Sequence, residues 1–333
     1  MYSQTKATIL DFLKGCGQGQ VKELVQQLGI TQAAVHRALN QLMAQGLVEK
    51  RGKPPKVFYF LCQNTPTRPL VAINDATRAE LDQHYLYVTP TGHLLTGLDG
   101  FLMWMKNTQN KQKPENCIQD YLGAIREANS HRCRPDQPIG QLIDATSRFQ
   151  QIFIPCHLDK VYYEDFYSLI KFGKTKLGQL VLHGKQSQNS RIIKDIAATI
   201  APSLNQLIAN EAIDAVAWAP HSIPRKLPFL KEIERHINLK LPKIECIKVY
   251  GGAVPVAQKS LSKLEERIQN ARETIVVSSA HLSAPRVLLI DDAVGSGATL
   301  NEIAHKLKDR GASHVIGYAI VGSYKGFEVI KEV

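Results

Sequence analysis

The chain has 333 residues, 44% hydrophobic and 21% charged, which allows two or three packed cores and excludes a largely disordered protein. Forty-one Lys and Arg against 30 Asp and Glu leave a formal charge of +11, a balance that favours a polyanionic or phosphorylated partner. The most apolar stretch, Phe101 to Met105, is five residues long, against the ~18 that a membrane helix needs.

The opening residues lack the apolar core of a secretory signal. The six cysteines are scattered without a CxxC pair, which argues against a disulfide framework or a zinc ribbon. A reduced, cytoplasmic protein with no membrane segment is the expectation.

In chain order, residues 4–14 place Ala7, Ile9, Leu10 and Leu13 on one helical face, and Gly15, Gly17 and Gly19 then break the chain. Val21, Leu24, Val25 and Leu28 follow at helical spacing. Gly29 suits the position after a helix end, and Thr31 suits the N-cap of the next helix. That helix, 32–45, turns Ala34, Val35, Ala38, Leu39 and Leu42 inward. Gln32, His36, Arg37 and Asn40 face outward. Leu47 to Arg51 and Lys56 to Leu61 read as two strands around a Gly52-Lys53-Pro54-Pro55 turn.

Residues 1–61 hold eight Lys and Arg against three Asp and Glu. The run from Ile30 to Lys50, ITQAAVHRALNQLMAQGLVEK, resembles bacterial winged helix–turn–helix regulators. The resemblance implies that helix 32–45 enters the DNA major groove, with Gln32, His36, Arg37 and Asn40 toward base edges. Lys50, Arg51, Lys53 and Lys56 would lie on phosphates. A winged helix used only for protein contacts is the competing reading. The acid-free outward face and the basic wing favour DNA.

Residues 62–69, CQNTPTRP, read as a linker. Residues 85–108 read as strand, turn, short strand and aromatic helix. Phe101 and Trp104 are expected in a core rather than on a stacking surface. Ile118, Tyr121, Leu122 and Ile125 mark an amphipathic helix over 115–128. His131 and Cys133 have no second Cys/His pair nearby and are not expected to bind metal. The expected organisation is a winged helix over 1–63, a mixed middle segment of undefined role over 70–155, and an α/β domain over 156–333 in which strands and helices alternate.

Val287 to Ile290 is a continuous apolar run, as a central parallel strand should be. Asp291 and Asp292 follow at its carboxyl end, then a Gly-Ser-Gly-Ala-Thr turn opens a helix over about 298–310. Such a turn presents backbone N–H groups and two hydroxyls to an anion. The stretch Val287 to Thr299 resembles the signature of type I phosphoribosyltransferases, departing from it at Ala293 and Gly295. The resemblance implies that Asp291 and Asp292 face the ribose hydroxyls of phosphoribosyl pyrophosphate (PRPP) and its Mg²⁺. It implies that Gly295, Ser296, Gly297, Ala298 and Thr299 hold the 5′-phosphate.

It also implies a pyrophosphate loop after the strand Ala212 to Ala219, with Ser222, Arg225 and Lys226 as candidates. Lys259 and Arg267 are candidates for a lid. The stretches 158–185, 258–262 and 266–271 resemble ComF-like phosphoribosyltransferases, so the likeness spans about 156–333. A winged helix stands where ComF proteins carry a zinc segment, and the bacterial purine operon repressor joins the same two module types in this order. Three readings follow from the resemblance. One is a homodimeric DNA-binding regulator that senses PRPP or a nucleotide with Mg²⁺. The second is an active transferase. The third is an effector of a retron-like antiviral system, where similar fusions occur.

Overall fold

In a computed structural model the structure describes residues 4–62, 71–133, 141–221, 226–252, 256, 258–278, 283 and 285–324. The chain divides into two compact units, Met1–Ala72 and Ile73–Val333.

The first unit has three helices, α1 (Gln4–Cys16), α2 (Val21–Leu28) and α3 (Gln32–Ala44), and an antiparallel ribbon of β1 (Val48–Lys53) and β2 (Lys56–Leu61). Local chemistry sets each boundary. Gly29 closes α2 in the left-handed conformation, with φ 64°. The Thr31 side chain accepts the Ala34 N–H at 3.3 Å and starts α3. Ile9, Leu13, Leu24, Val35, Leu39, Leu42 and Tyr59 make the core. Gly19 pairs with Tyr59 as a third, one-residue strand of the wing. A Cβ there would lie 2.9 Å from the Phe12 ring, which is why glycine stands at this point.

The second unit begins with α4 (Asp75–His84), the hairpin β3 (Leu86–Val88) and β4 (Leu94–Thr96), α5 (Gly97–Asn107) and α6 (Pro114–Asn129). Phe101 is fully buried, and its ring meets Tyr85, Trp104 and Tyr121. The chain continues through β5 (Ile143–Asp144), α7 (Thr146–Ile152), β6 (Lys160–Phe166), the small pair β7 (Ser168–Leu169) and β8 (Gly173–Lys174), α8 (Lys176–Ser187) and α9 (Ser190–Asn210). Next come β9 (Ala215–Trp218), α10 (Phe229–Ile237), β10 (Lys243–Ile244), β11 (Cys246–Lys248), a 3₁₀ turn at Gln258–Ser260, α11 (Leu264–Thr274) and β12 (Ile275–Val277). The last described elements are β13 (Arg286–Val294), α12 (Ala298–Asp309) and β14 (His314–Gly322).

Among the described residues the main sheet has the order β10-β9-β13-β14-β6-β5. Neighbours are parallel from β10 to β6, and β5 closes the edge antiparallel to β6. Val287 to Ile290 in β13 have no exposed surface, and Val315 to Val321 in β14 are as deeply covered, as strands buried on both faces require. The expected α/β architecture, a parallel sheet flanked by helices behind an N-terminal winged helix, is the one observed.

The expected boundary near residue 155 is not a domain boundary. Ile143 and Asp144 pair with Tyr163 and Tyr162 inside the main sheet. Arg132 donates to the Glu164 carbonyl and to the Asp165 carboxylate, and the Trp104 and Tyr121 rings meet Phe172. Residues from Ile73 on therefore share one compact unit, because the antiparallel edge strand and the aromatic cluster are completed only by residues beyond 155. Among the described residues no helix is long and apolar enough to cross a membrane.

Candidate functional site

The strand order reverses between β9 and β13: the chain leaves β9 for β10 on one side and returns to β13 on the other. Ligands of open α/β sheets bind at the carboxyl ends of the strands flanking such a point. The pairing of β13 with β9 ends at Ile290 and Trp218, whereas its pairing with β14 continues to Val294. Asp291 to Val294 thus run past the end of β9, with one strand edge open to a cavity of about 690 Å³. Asp291, Asp292, Gly295, Ser296, Gly297 and Thr299 line it, with Trp218 to His221 from the end of β9.

The two carboxylates are not equivalent. Asp292 forms an ion pair with Lys185 of α8 at 2.8 Å, and both side chains are largely covered. Asp291 accepts the Asp292 backbone N–H at 2.8 Å. Burial, and after it the neighbouring Asp292 charge, pushes the Asp291 carboxyl well above its ordinary range, against the opposing effects of that N–H and Lys185. Lys185 was not among the residues expected to act. Its only sequence signal is its place at the end of the 158–185 stretch.

Beyond β13 the chain bends through Gly295 and Ser296 into α12. Gly297 is its N-cap, with φ 77°, and a Cβ there would lie 2.7 Å from the Phe149 ring. Only glycine meets both conditions. Gly297 has no side chain to cap the helix, and among the described residues Ser296 Oγ accepts the Ala298 N–H only at a long 3.5 Å. The N–H groups of the first turn and the positive end of the helix dipole suit an anion.

The segment from Gln258 to Thr274 forms the facing wall. Gln258 Nε2 donates to the Arg267 carbonyl at 2.9 Å and contacts Thr299 Oγ1 at 3.3 Å. Arg267 was expected on a lid. It is instead a buried residue of α11, 6% exposed, whose Nε–H donates to the Leu261 carbonyl at 2.8 Å. Its Nη1 lies 3.4 Å from Ser296 Oγ. Arg267 therefore stands on a helix in the cavity wall in this structure. Lys248 of β11, which also lines the cavity, donates to Asn270 Oδ1 at 3.1 Å, and burial lowers its pKa. Among the described residues, four buried polar atoms of cavity-lining residues have no hydrogen-bond partner: Trp218 Nε1, Gln258 Oε1, Arg267 Nη2 and Glu234 Oε1, the last of which is ion-paired with Lys243.

The other expected positions divide. Lys226 is exposed and is not among the residues lining the cavity. Ser222, Arg225 and the Lys259 side chain lie outside the described residues. Among the described residues no group of three or more His, Cys, Asp or Glu side chains is placed to hold a metal ion. The donor set fits Mg²⁺ only as a shared ion, with Asp291 or Asp292 on one side and ligand phosphates and water completing the shell.

In the first unit Gln32, His36, Arg37 and Asn40 are all exposed on α3, while Val35, Ala38, Leu39 and Leu42 are buried behind them. Lys50, Arg51, Lys53 and Lys56 are exposed on the β1–β2 ribbon. Arg51 pairs with Glu49 and stacks 4.3 Å from the Phe60 ring centroid. The helix face and ribbon are therefore brought together as one unit with five more basic than acidic residues over 1–61.

Residues 7–52 match the family model of the IclR helix-turn-helix domain. No curated protein matches the chain. Solved structures similar to part of the chain include a hypoxanthine phosphoribosyltransferase from Staphylococcus aureus, 13% identical over 41% of this chain and 67% of that one, with a TM-score of 0.27. A purine phosphoribosyltransferase from Pyrococcus horikoshii is 15% identical over 40% of this chain and 84% of its own, with a TM-score of 0.26. The Trypanosoma cruzi hypoxanthine phosphoribosyltransferase in complex with the product IMP is 12% identical over 41% and 69%, with a TM-score of 0.27.

Proposed function

We propose that this chain is a DNA-binding regulator whose second unit binds PRPP or a nucleotide 5′-phosphate together with Mg²⁺. One observation carries the reading. Paired carboxylates at the end of β13 and an open N–H loop at the start of α12 face one cavity at the reversal of strand order. Asp291 and Asp292 are suited to anchor a ribose diol and a shared Mg²⁺. The loop from Gly295 to Thr299 is suited to a phosphate, and Lys185 balances the acids from the side. Trp218 Nε1 and Gln258 Oε1, without partners among the described residues, offer one donor and one acceptor to a polar ligand.

The helix-turn-helix match over 7–52 and the exposed Gln32, His36, Arg37 and Asn40 support DNA as the other partner. Calorimetry with Mg²⁺–PRPP and nucleotide 5′-phosphates, on wild type and Asp291→Ala/Asp292→Ala, tests the site. Binding lost in the double variant is expected, and no binding to wild type of any of these ligands would remove the reading. Footprinting on genomic DNA fragments, with and without ligand, tests the regulator. A footprint indifferent to every one of these ligands would count against it.

A second reading, an active phosphoribosyltransferase, is favoured by the breadth of the cavity. Beyond the acids it extends to Trp218, Phe229 and Lys231, which leaves space for an acceptor beside a bound PRPP. The protein's task would then be to hold ribose and pyrophosphate in line while positive charge develops at the sugar. Pyrophosphate release that stops in Asp291→Ala is the expected result for that reading. A homodimer and cytoplasmic operation accompany both readings.

A further inference from the structure

The most conspicuous charge outside the acidic pair is the guanidinium of Arg267. It is 6% exposed, yet among the described residues no carboxylate pairs with it. Its hydrogen-bond partners are the Leu261 carbonyl and the Ser296 hydroxyl, and Nη2 has none. The acids nearest in sequence face elsewhere: Glu265 and Glu266 are exposed on the first turn of α11. Of the other acids, Asp292, which lines the same cavity, is paired with Lys185, and Glu302 of α12 is paired with Arg272. A buried cation without a counter-charge is costly, and folded proteins rarely retain one unless a partner arrives from outside.

The surroundings specify that partner. Nη1 stands against Ser296, whose hydroxyl is also the long-range partner of the Ala298 N–H in the first turn of α12, so the fork lies beside the helix N-terminus. The contacts there are long, 3.4 Å from Arg267 to Ser296, 3.5 Å from Ser296 to the Ala298 nitrogen and 3.3 Å from Gln258 to Thr299. A cradle whose donors converge but stop short of one another fits a group of several acceptor oxygens.

We propose that Arg267 is a phosphate-binding, specificity-determining residue, whose guanidinium joins the Ser296 hydroxyl and the α12 N–H groups to hold the phosphate of a sugar 5′-phosphate. The inference rests on the proposed reading of the 295–299 loop as a phosphate cradle and adds a ligand from a different element, α11. It makes the site demand a charged phosphate rather than a sugar alone. It also ties α11 to ligand, since the phosphate supplies the counter-charge that Arg267 otherwise lacks.

The test is a titration of the full chain with inorganic phosphate, ribose 5-phosphate and ribose, read by thermal shift at constant ionic strength against chloride. Calorimetry with Mg²⁺–PRPP runs beside it. Wild type should be stabilised by both phosphates and not by ribose. Arg267→Gln should weaken phosphate binding by about tenfold or more, and Arg267→Lys should fall between, because it keeps the charge and loses the planar fork. Equal affinities in wild type and Arg267→Gln would overturn the proposal. So would a wild type stabilised no more by phosphate than by chloride. If Arg267→Gln does not fold, Arg267→Lys decides, and an affinity equal to wild type overturns the proposal. Normal PRPP binding by Arg267→Gln would reject this inference and leave the proposed function standing. Arg267-dependent binding of ribose 5-phosphate with no binding of Mg²⁺–PRPP or of any nucleotide 5′-phosphate would do the reverse.

Discussion

Asp291 stands in a strand whose four preceding residues are fully buried, and its own carboxyl shares that environment with a second acid. Because its pKa is raised in the folded protein, the folded state holds the proton more tightly than the unfolded chain. Its contribution to stability is therefore present below the unfolded pKa and is lost as pH rises through the raised folded pKa. Asp291→Asn should thus stabilise the ligand-free protein on the order of 1 kcal/mol at neutral pH. It should do nothing at pH values where both states are protonated. Urea melts across pH will show this, and a stabilisation independent of pH would contradict it. Ligand binding has the opposite sign. A diol or Mg²⁺ favours the ionised acid, so affinity should rise with pH, and Lys185→Met should move that rise to higher pH. Calorimetric titrations across pH read both. The pair Asp291–Asp292 was legible in the sequence because it sits inside a contiguous signature. The Lys185 partner was not, since its helix ends more than a hundred residues earlier in the chain.

At the scale of elements, the loop between β13 and α12 depends on Gly297. An alanine there must adopt a left-handed φ and also push Phe149 of α7 aside. The expected cost is about 1–3 kcal/mol of stability, with weaker phosphate binding because the first-turn N–H groups are displaced. Chemical denaturation and calorimetry on Gly297→Ala will measure both, and an unchanged stability would show that α7 yields freely. In the other unit, Thr31 caps α3 through the Ala34 N–H, and Thr31→Ala should cost about 1 kcal/mol. On the exposed face of that helix, Arg37→Ala should weaken DNA binding, and Lys53→Ala should lower the slope of affinity against salt by about one ion. A salt slope identical to wild type would take Lys53 off the phosphates. These elements were readable because helix periodicity, capping residues and turn glycines act within a few residues of one another. The burial of Arg267 was not readable for the converse reason. A lone arginine on a helix gives no local sign of whether it is solvated or turned into a wall.

At the scale of the molecule, the chain has two compact units, and the proposed function gives each a ligand of its own. If ligand in the second unit changes DNA affinity, DNA must change ligand affinity by the same factor, about 5- to 150-fold in typical coupled systems. Fluorescence anisotropy on a footprinted fragment, with and without Mg²⁺–PRPP, and calorimetry with and without that fragment should return equal ratios. Unequal ratios would show that the two measurements follow different binding events. A ratio of one in both would show two units that act independently.

By itself the sequence determined the order of elements in the first 61 residues, the acid-free outward face of α3 with its basic ribbon, and the acid pair with its glycine turn. Each of these is written in spacing and residue type over a short stretch, where sterics, capping and amphipathic periodicity act directly. The tertiary structure alone decided that residues from Ile73 join the sheet through β5. It alone decided that Lys185 meets Asp292 and that Arg267 of α11 is buried beside Ser296. Those contacts join residues far apart in the chain. Only closure of the parallel sheet and burial of its flanking helices sets their distance, and no short-range pattern encodes it.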